Sequence, residues 1–131
     1  MVRVLSALVA LALGGCTTTP TILSWPLTEA RPGSGQIVVK RDTDSAGSAC
    51  THRIYLDGTP AAELQPGQWV TLYAGPGEHL LTALVSAASC RGSFREAMLV
   101  LRIDQRQVFR TGLDRNGGIK IEPMGSSAGD Q

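Results

Sequence analysis

His52-Arg53-Ile54-Tyr55-Leu56 before Asp57-Gly58, Ala61-Ala62-Glu63-Leu64-Gln65 before Pro66-Gly67, and Trp69-Val70-Thr71-Leu72-Tyr73 before Gly75-Pro76-Gly77 are three successive runs of one kind. Each is too short for an independent helix, carries branched or aromatic side chains, and is closed by residues with turn-forming backbones. The same punctuation continues outward, giving further candidate strands at 36–41, 78–87, 94–103, 107–113 and 119–122. Within 94–103, Ala97, Leu99, Leu101 and Ile103 share one face while Glu96, Arg102 and Asp104 take the other. Ile119 and Ile121 alternate with Lys120 and Glu122 in the same way. A period of two with one apolar side predicts strands buried on one face and wet on the other. Residues 94–106 would tolerate a helix through Arg95-Glu96-Ala97-Met98-Leu99, but the alternation favours a strand. Eight short strands with closely spaced turns predict an all-β chain, a small antiparallel β-sandwich of seven or eight strands over residues 36–124, with a small barrel as the alternative.

The 131 residues, 43% hydrophobic and 18% charged, suit one globular domain. The first fifteen stand apart: Arg3, an apolar run, then Gly14-Gly15. The run is too short to cross a bilayer and reads as a secretory signal, removed from the mature chain. Leu13-Gly14-Gly15-Cys16 resembles the lipobox of bacterial lipoproteins, in which the cysteine is lipidated and becomes the first residue. That resemblance implies a membrane anchor at Cys16. The alternative is a soluble secreted chain cleaved nearby. At about 0.8 kcal/mol per buried methylene, the two or three acyl chains of the lipoprotein class hold permanently where one would not. Thr17, where inner-membrane lipoproteins often carry Asp, implies the outer membrane and a periplasmic orientation.

Without Arg3 the twelve basic residues become eleven, against eleven acidic, so the mature chain is formally neutral and carries no footprint for nucleic acid. Residues 16–35, rich in Thr, Pro and Gly, read as a lipidated tether, and 125–131 as a disordered tail. Within the tether lies Ile22-Leu23-Ser24-Trp25-Pro26-Leu27. Either Trp25 returns to the domain or the membrane interface, or the segment is a docking peptide for a partner.

Beyond Cys16, two cysteines remain, Cys50 and Cys90, in a chain directed to an oxidising compartment. Cys50 precedes one strand and Cys90 follows the third strand after it. Up-and-down order brings both to one end of the domain and favours a disulfide; a reactive or metal-binding Cys50 with His52 is the competing reading. Catalytic patterns do not assemble. There is no Gly-x-Ser-x-Gly, and His52, His79, Glu78 and Asp57 lack metal-ligand spacing. Glu63, Glu78, Glu96 and Asp57 occupy positions that solvated strand faces would give them. Each histidine reads as a partly exposed strand residue, and no cofactor or metal is expected.

Arg91, Arg95, Arg102, Arg106, Arg110 and Arg115 crowd the last third. They form either solvated ion-pair ladders or a patch for an anionic glycan, a lipid phosphate or a protein. Trp69 and Tyr73, with Arg102, Arg106 and Arg110, are the candidate ligand or partner surface, provided that the two aromatics share an exposed face.

The segments Ile54-Tyr55-Leu56-Asp57-Gly58, Ala62-Glu63-Leu64-Gln65-Pro66-Gly67 and Leu72-Tyr73-Ala74-Gly75-Pro76-Gly77-Glu78-His79-Leu80 are similar to small bacterial lipoprotein domains of unknown function and, more loosely, to PEGA-type surface modules. The resemblance implies an envelope-located β-sandwich without catalysis. Cys50 and Cys90 depart from the PEGA pattern. The expected function is a non-enzymatic, membrane-anchored module that binds an envelope protein or assembles with one. The alternative is a periplasmic module for a glycan or small ligand, with a hydrolase a distant third.

Overall fold

A computed structural model describes residues 19–43, 50–86, 90 and 92–127. They form nine strands: β1 (Thr21–Ile22), β2 (Gly35–Arg41), β3 (Thr51–Leu56), β4 (Thr59–Leu64), β5 (Trp69–Ala74), β6 (Gly77–Ser86), β7 (Phe94–Leu101), β8 (Arg106–Leu113) and β9 (Ile119–Ser127), with a 3-10 turn at Trp25–Thr28. One sheet has the order β1-β4-β3-β6-β7 and the other β5-β2-β8-β9. The expected β-sandwich is therefore present, and all eight expected strands occur. Residues 94–101 are strand, not helix. The pairing is not wholly antiparallel: β2 lies parallel to β8, from Gln36 beside Arg106 to Arg41 beside Thr111.

The turns follow from their residues. Asp57 and Gly58 both take left-handed backbones, with φ of 50° and 79°. Two consecutive positive φ values make the tight hairpin that matches strand twist, and Asp-Gly adopts it at little cost. After Pro66-Gly67 the chain leaves one sheet and enters the other at β5.

The inner faces supply the core. Ile54 and Leu56 of β3, Leu81, Ala83 and Val85 of β6, and Leu99 and Leu101 of β7 meet Ile37 and Val39 of β2, Leu72 of β5 and Phe109 of β8. Each buried aliphatic side chain contributes about 1.5–3 kcal/mol relative to exposure. These residues alternate along their strands, so a register slip of one residue would turn the apolar set outward.

Two expected boundaries move. Part of the expected tether belongs to the body: Thr21 and Ile22 pair with Glu63 and Ala62, and Ile22 and Leu27 pack against the core. The backbone N–H groups of Leu23 and Ser24 both donate to the Ala61 carbonyl. The short apolar cluster thus has an intramolecular use, although the Trp25 side chain itself remains exposed. At the other terminus β9 continues to Ser127, into the expected tail.

Candidate functional site

Cys50 and Cys90 form a disulfide with a Cα–Cα distance of 5.9 Å. It closes the end of the domain where Thr51 of β3 is matched with Ser86 of β6. Both cysteines do lie at one end, but the strands between them are not a simple meander, since β5 belongs to the opposite sheet.

A buried polar group backs the disulfide. Arg41, at the end of β2, points inward and donates to the carbonyls of Cys50 and Leu64. His52 Nδ1 lies 2.9 Å from Thr111 Oγ1, a hydrogen bond from one sheet to the other. His52 is 1% exposed, which corrects the expectation of a partly exposed ring: its place on the core-facing parity of β3 outweighs its polarity. Burial, reinforced by the Arg41 charge, lowers its pKa from 6.5 to about 4, so the ring is neutral at pH 7. Neither the bonded Cys50 nor this histidine is available as a nucleophile or base.

His79 occupies the opposite end. Its Nδ1 is 2.6 Å from Asp57 Oδ2, and its Nε2 is 2.6 Å from the Gly75 carbonyl. Both contacts are acceptors, so the ring satisfies both only as the imidazolium. Burial opposes that charge, but the Asp57 and Gly75 hydrogen bonds outweigh it and the pKa is raised. Burial alone would raise the Asp57 pKa; hydrogen bonds from His79 and the Leu80 N–H outweigh it and lower it. This pair ties the β3–β4 turn to the β5–β6 turn.

The outward faces of the two sheets differ in chemistry. On the four-stranded sheet, Lys40 is matched with Trp69 on one side and Arg110 on the other, and Arg110 with Glu122. Two steps away Val38 stands between Thr71 and Val108, and beyond it Gln36 lies between Tyr73 and Arg106. Val38 is only 1% exposed, a low value for an outward position. Trp69, Lys40, Arg106, Arg110, Asp42 and Met124 line a hollow of about 500 Å³. Arg110 is held by Glu122 at 2.9 Å, with Asp42 at 4.0 Å.

Of the candidate surface, Trp69, Arg106 and Arg110 therefore come together. Tyr73 shares their face but does not line the hollow. Arg102 is displaced from it, in the connection from β7 to β8, where its N–H donates to Gln105 Oε1. Cys16 and Arg91 lie outside the described residues. Lys40, which sequence reasoning did not single out, was accessible through its alternation with the buried Ile37 and Val39.

On the five-stranded sheet, the outward positions of β7 carry Phe94, Glu96, Met98 and Val100, matched with Leu84, Thr82, Leu80 and Glu78 of β6. Phe94 is 64% exposed, Met98 64% and Val100 61%. The outer face of this strand is exposed to water as expected, but apolar side chains share it with Glu96. Ile103, expected on the buried side, lies beyond the strand end and is exposed. A shallow depression lined by Tyr55, Leu80, Leu84 and Phe94 continues the patch across β6 to β3.

The edge of β7 and the residue before it are partly closed by hydrogen bonds from the other sheet. Gln107 Nε2 donates to the Val100 carbonyl at 2.7 Å, and the Ile119 N–H donates to Ser93 Oγ at 3.1 Å. With its edge so stapled, the exposed apolar surface of β7 is its face. No protein-family model matches the chain, and no curated protein is significantly similar to it.

Proposed function

We propose that this protein is a non-catalytic, lipid-anchored module of the cell envelope, facing the periplasm and probing it for a protein partner with the outer face of the five-stranded sheet. The observation that supports this most is the patch of Phe94, Met98 and Val100, three large apolar side chains each more than half exposed, continuous with Leu80 and Leu84. Contiguous apolar patches on a small domain mark interaction surfaces, because leaving them in water is unfavourable. The arrangement of the histidines supports a binding role over a catalytic one: one ring is sealed and neutral, the other fully engaged in a structural clamp. Cys16, by its lipobox resemblance, supplies the anchor.

The test is photocrosslinking in intact cells from a probe at position 98. A discrete adduct with one envelope protein, lost on Val100→Glu, is the expected result. An adduct pattern shared with a probe at position 40, on the opposite face, would overturn the docking face. For the anchor, Cys16→Ala is expected to leave the membrane fraction, and unchanged fractionation would remove the tether from the proposal.

A further inference from the structure

The hollow on the four-stranded sheet has different chemistry from the apolar patch, and it lies on the opposite side of the sandwich, so neither proposal depends on the other. Three features coincide there. Trp69 is 54% exposed and forms one wall, at the edge strand of its sheet. Lys40 and Arg106 line the hollow, and among the described residues neither forms an ion pair. Asp42, Thr43, Gly67 and Met124 extend the rim, and the otherwise buried Arg41 reaches it.

Each feature selects a property of the ligand. A half-exposed indole offers a flat apolar surface for the C–H face of a ring. The two cations rise from backbone positions four residues apart along adjacent parallel strands, about 13 Å along the strand direction. A backbone spacing on that scale suits successive rings of a chain. Arg110 is already neutralised by Glu122 and Asp42, leaving a modest positive surplus. Asp42 and Thr43 offer acceptors to hydroxyl donors. The combination disfavours a nucleic acid, whose charge per repeat calls for a dense basic track and for which an adjacent carboxylate is repulsive. It suits a chain in which anionic substituents are spaced along hydroxyl-rich rings.

We infer that the hollow bounded by Trp69, Lys40 and Arg106 is a binding site for an acidic saccharide chain, stacked on Trp69 and carrying anionic groups that Lys40 and Arg106 engage.

Calorimetric titration of the oxidised full-length domain tests this with four probes: oligogalacturonate for carboxylates, a phosphorylated mannan oligosaccharide for phosphates, a neutral dextran oligosaccharide, and single-stranded DNA. Saturable binding of one or both acidic saccharides is expected, with the tighter one identifying the substituent, and at least tenfold weaker binding of neutral dextran. Trp69→Ala should weaken binding about tenfold while keeping its salt dependence. Arg106→Ala and Lys40→Ala should each weaken it about three- to tenfold and flatten the salt dependence. Glu96→Gln, on the other sheet, should bind as the parent does. The variants are surface changes whose folding is checked by an unchanged thermal midpoint. Binding of DNA at equal strength with no effect of Trp69→Ala would overturn the site in favour of a simple charged patch. Failure of both acidic saccharides to bind at millimolar concentration, or equal binding by dextran, would overturn it as well.

Discussion

At one end of the sandwich His52 is sealed between the sheets beside a guanidinium and a disulfide, while at the other His79 sits near the surface between a carboxylate and a backbone carbonyl. The same residue type is driven in opposite directions. Low-dielectric surroundings and a positive neighbour hold the first ring neutral, and two acceptors favour the charged form of the second. The two ends thus close the domain by different physics: one by a covalent link and buried hydrogen bonds that water does not reach, the other by an ion pair that solvent screens. The contrast predicts which conditions should loosen which end.

The largest effect belongs to the covalent end. Cys50→Ser with Cys90→Ser should cost about 4 kcal/mol, the chain-entropy value for a loop of this size, read as a lower urea midpoint. A loss below about 1 kcal/mol would mean that Arg41, His52 and Thr111 hold that end without the disulfide.

Acid should act next, and at the same end. His52 has a folded pKa near 4 against 6.5, so between those values the unfolded chain binds more protons than the native one, and stability falls as pH is lowered through that window. The loss should reach up to about 3 kcal/mol, and His52→Gln should flatten this part of the pH profile. An unchanged profile in that variant would break the assignment.

A steric probe tests the other end. A Cβ at Gly35 would lie 2.6 Å from the Arg102 carbonyl oxygen and 2.6 Å from Leu101 Cγ, so Gly35→Ala should cost about 1–3 kcal/mol through forced shifts in a packed region. An unaltered thermal midpoint would show that this end yields easily.

The smallest effect is that of the ion pair. The raised His79 pKa means that its contribution is complete below the unfolded value and is lost as pH rises through the folded one; the lowered Asp57 pKa means a loss as pH falls through its own. With the Asp57 side chain about half exposed, the pair should be worth less than about 1 kcal/mol. Proton NMR titration checks the contrast directly: the His79 ring should titrate above 6.5 and His52 should stay unprotonated until well below it.

Much of this architecture was legible in the sequence because strands and turns announce themselves locally. Asp57-Gly58 and Pro66-Gly67 mark their turns whatever the rest of the chain does, and the alternation of β3 and β6 identifies their buried sides. What local pattern does not encode is which strand lies beside which. The parallel match of β2 with β8 joins segments with no sequence relation, and the two-residue β1 is too short to show any period. The same reason explains the candidate surfaces. Trp69, Arg106 and Arg110 were recognisable as residue types, but Lys40 joins them only through the sheet order, and Arg102 is separated from them by a turn after β7. For β7 the sequence did hold the missed signal: Phe94, Met98 and Val100 recur at every second position once Glu96 is allowed to interrupt them.

The parallel pairing of β2 with β8 also constrains the order of assembly. A central strand of the smaller sheet has as one of its two neighbours a strand 70 residues further along the chain, Arg106 beside Gln36. Until β8 arrives, one ladder of β2 amide and carbonyl groups has no mate, and closure of a long loop must precede the reward. Completion of the smaller sheet therefore waits on β8, and β2 stays open on one side until strands of both sheets that lie between the two in the chain have been made.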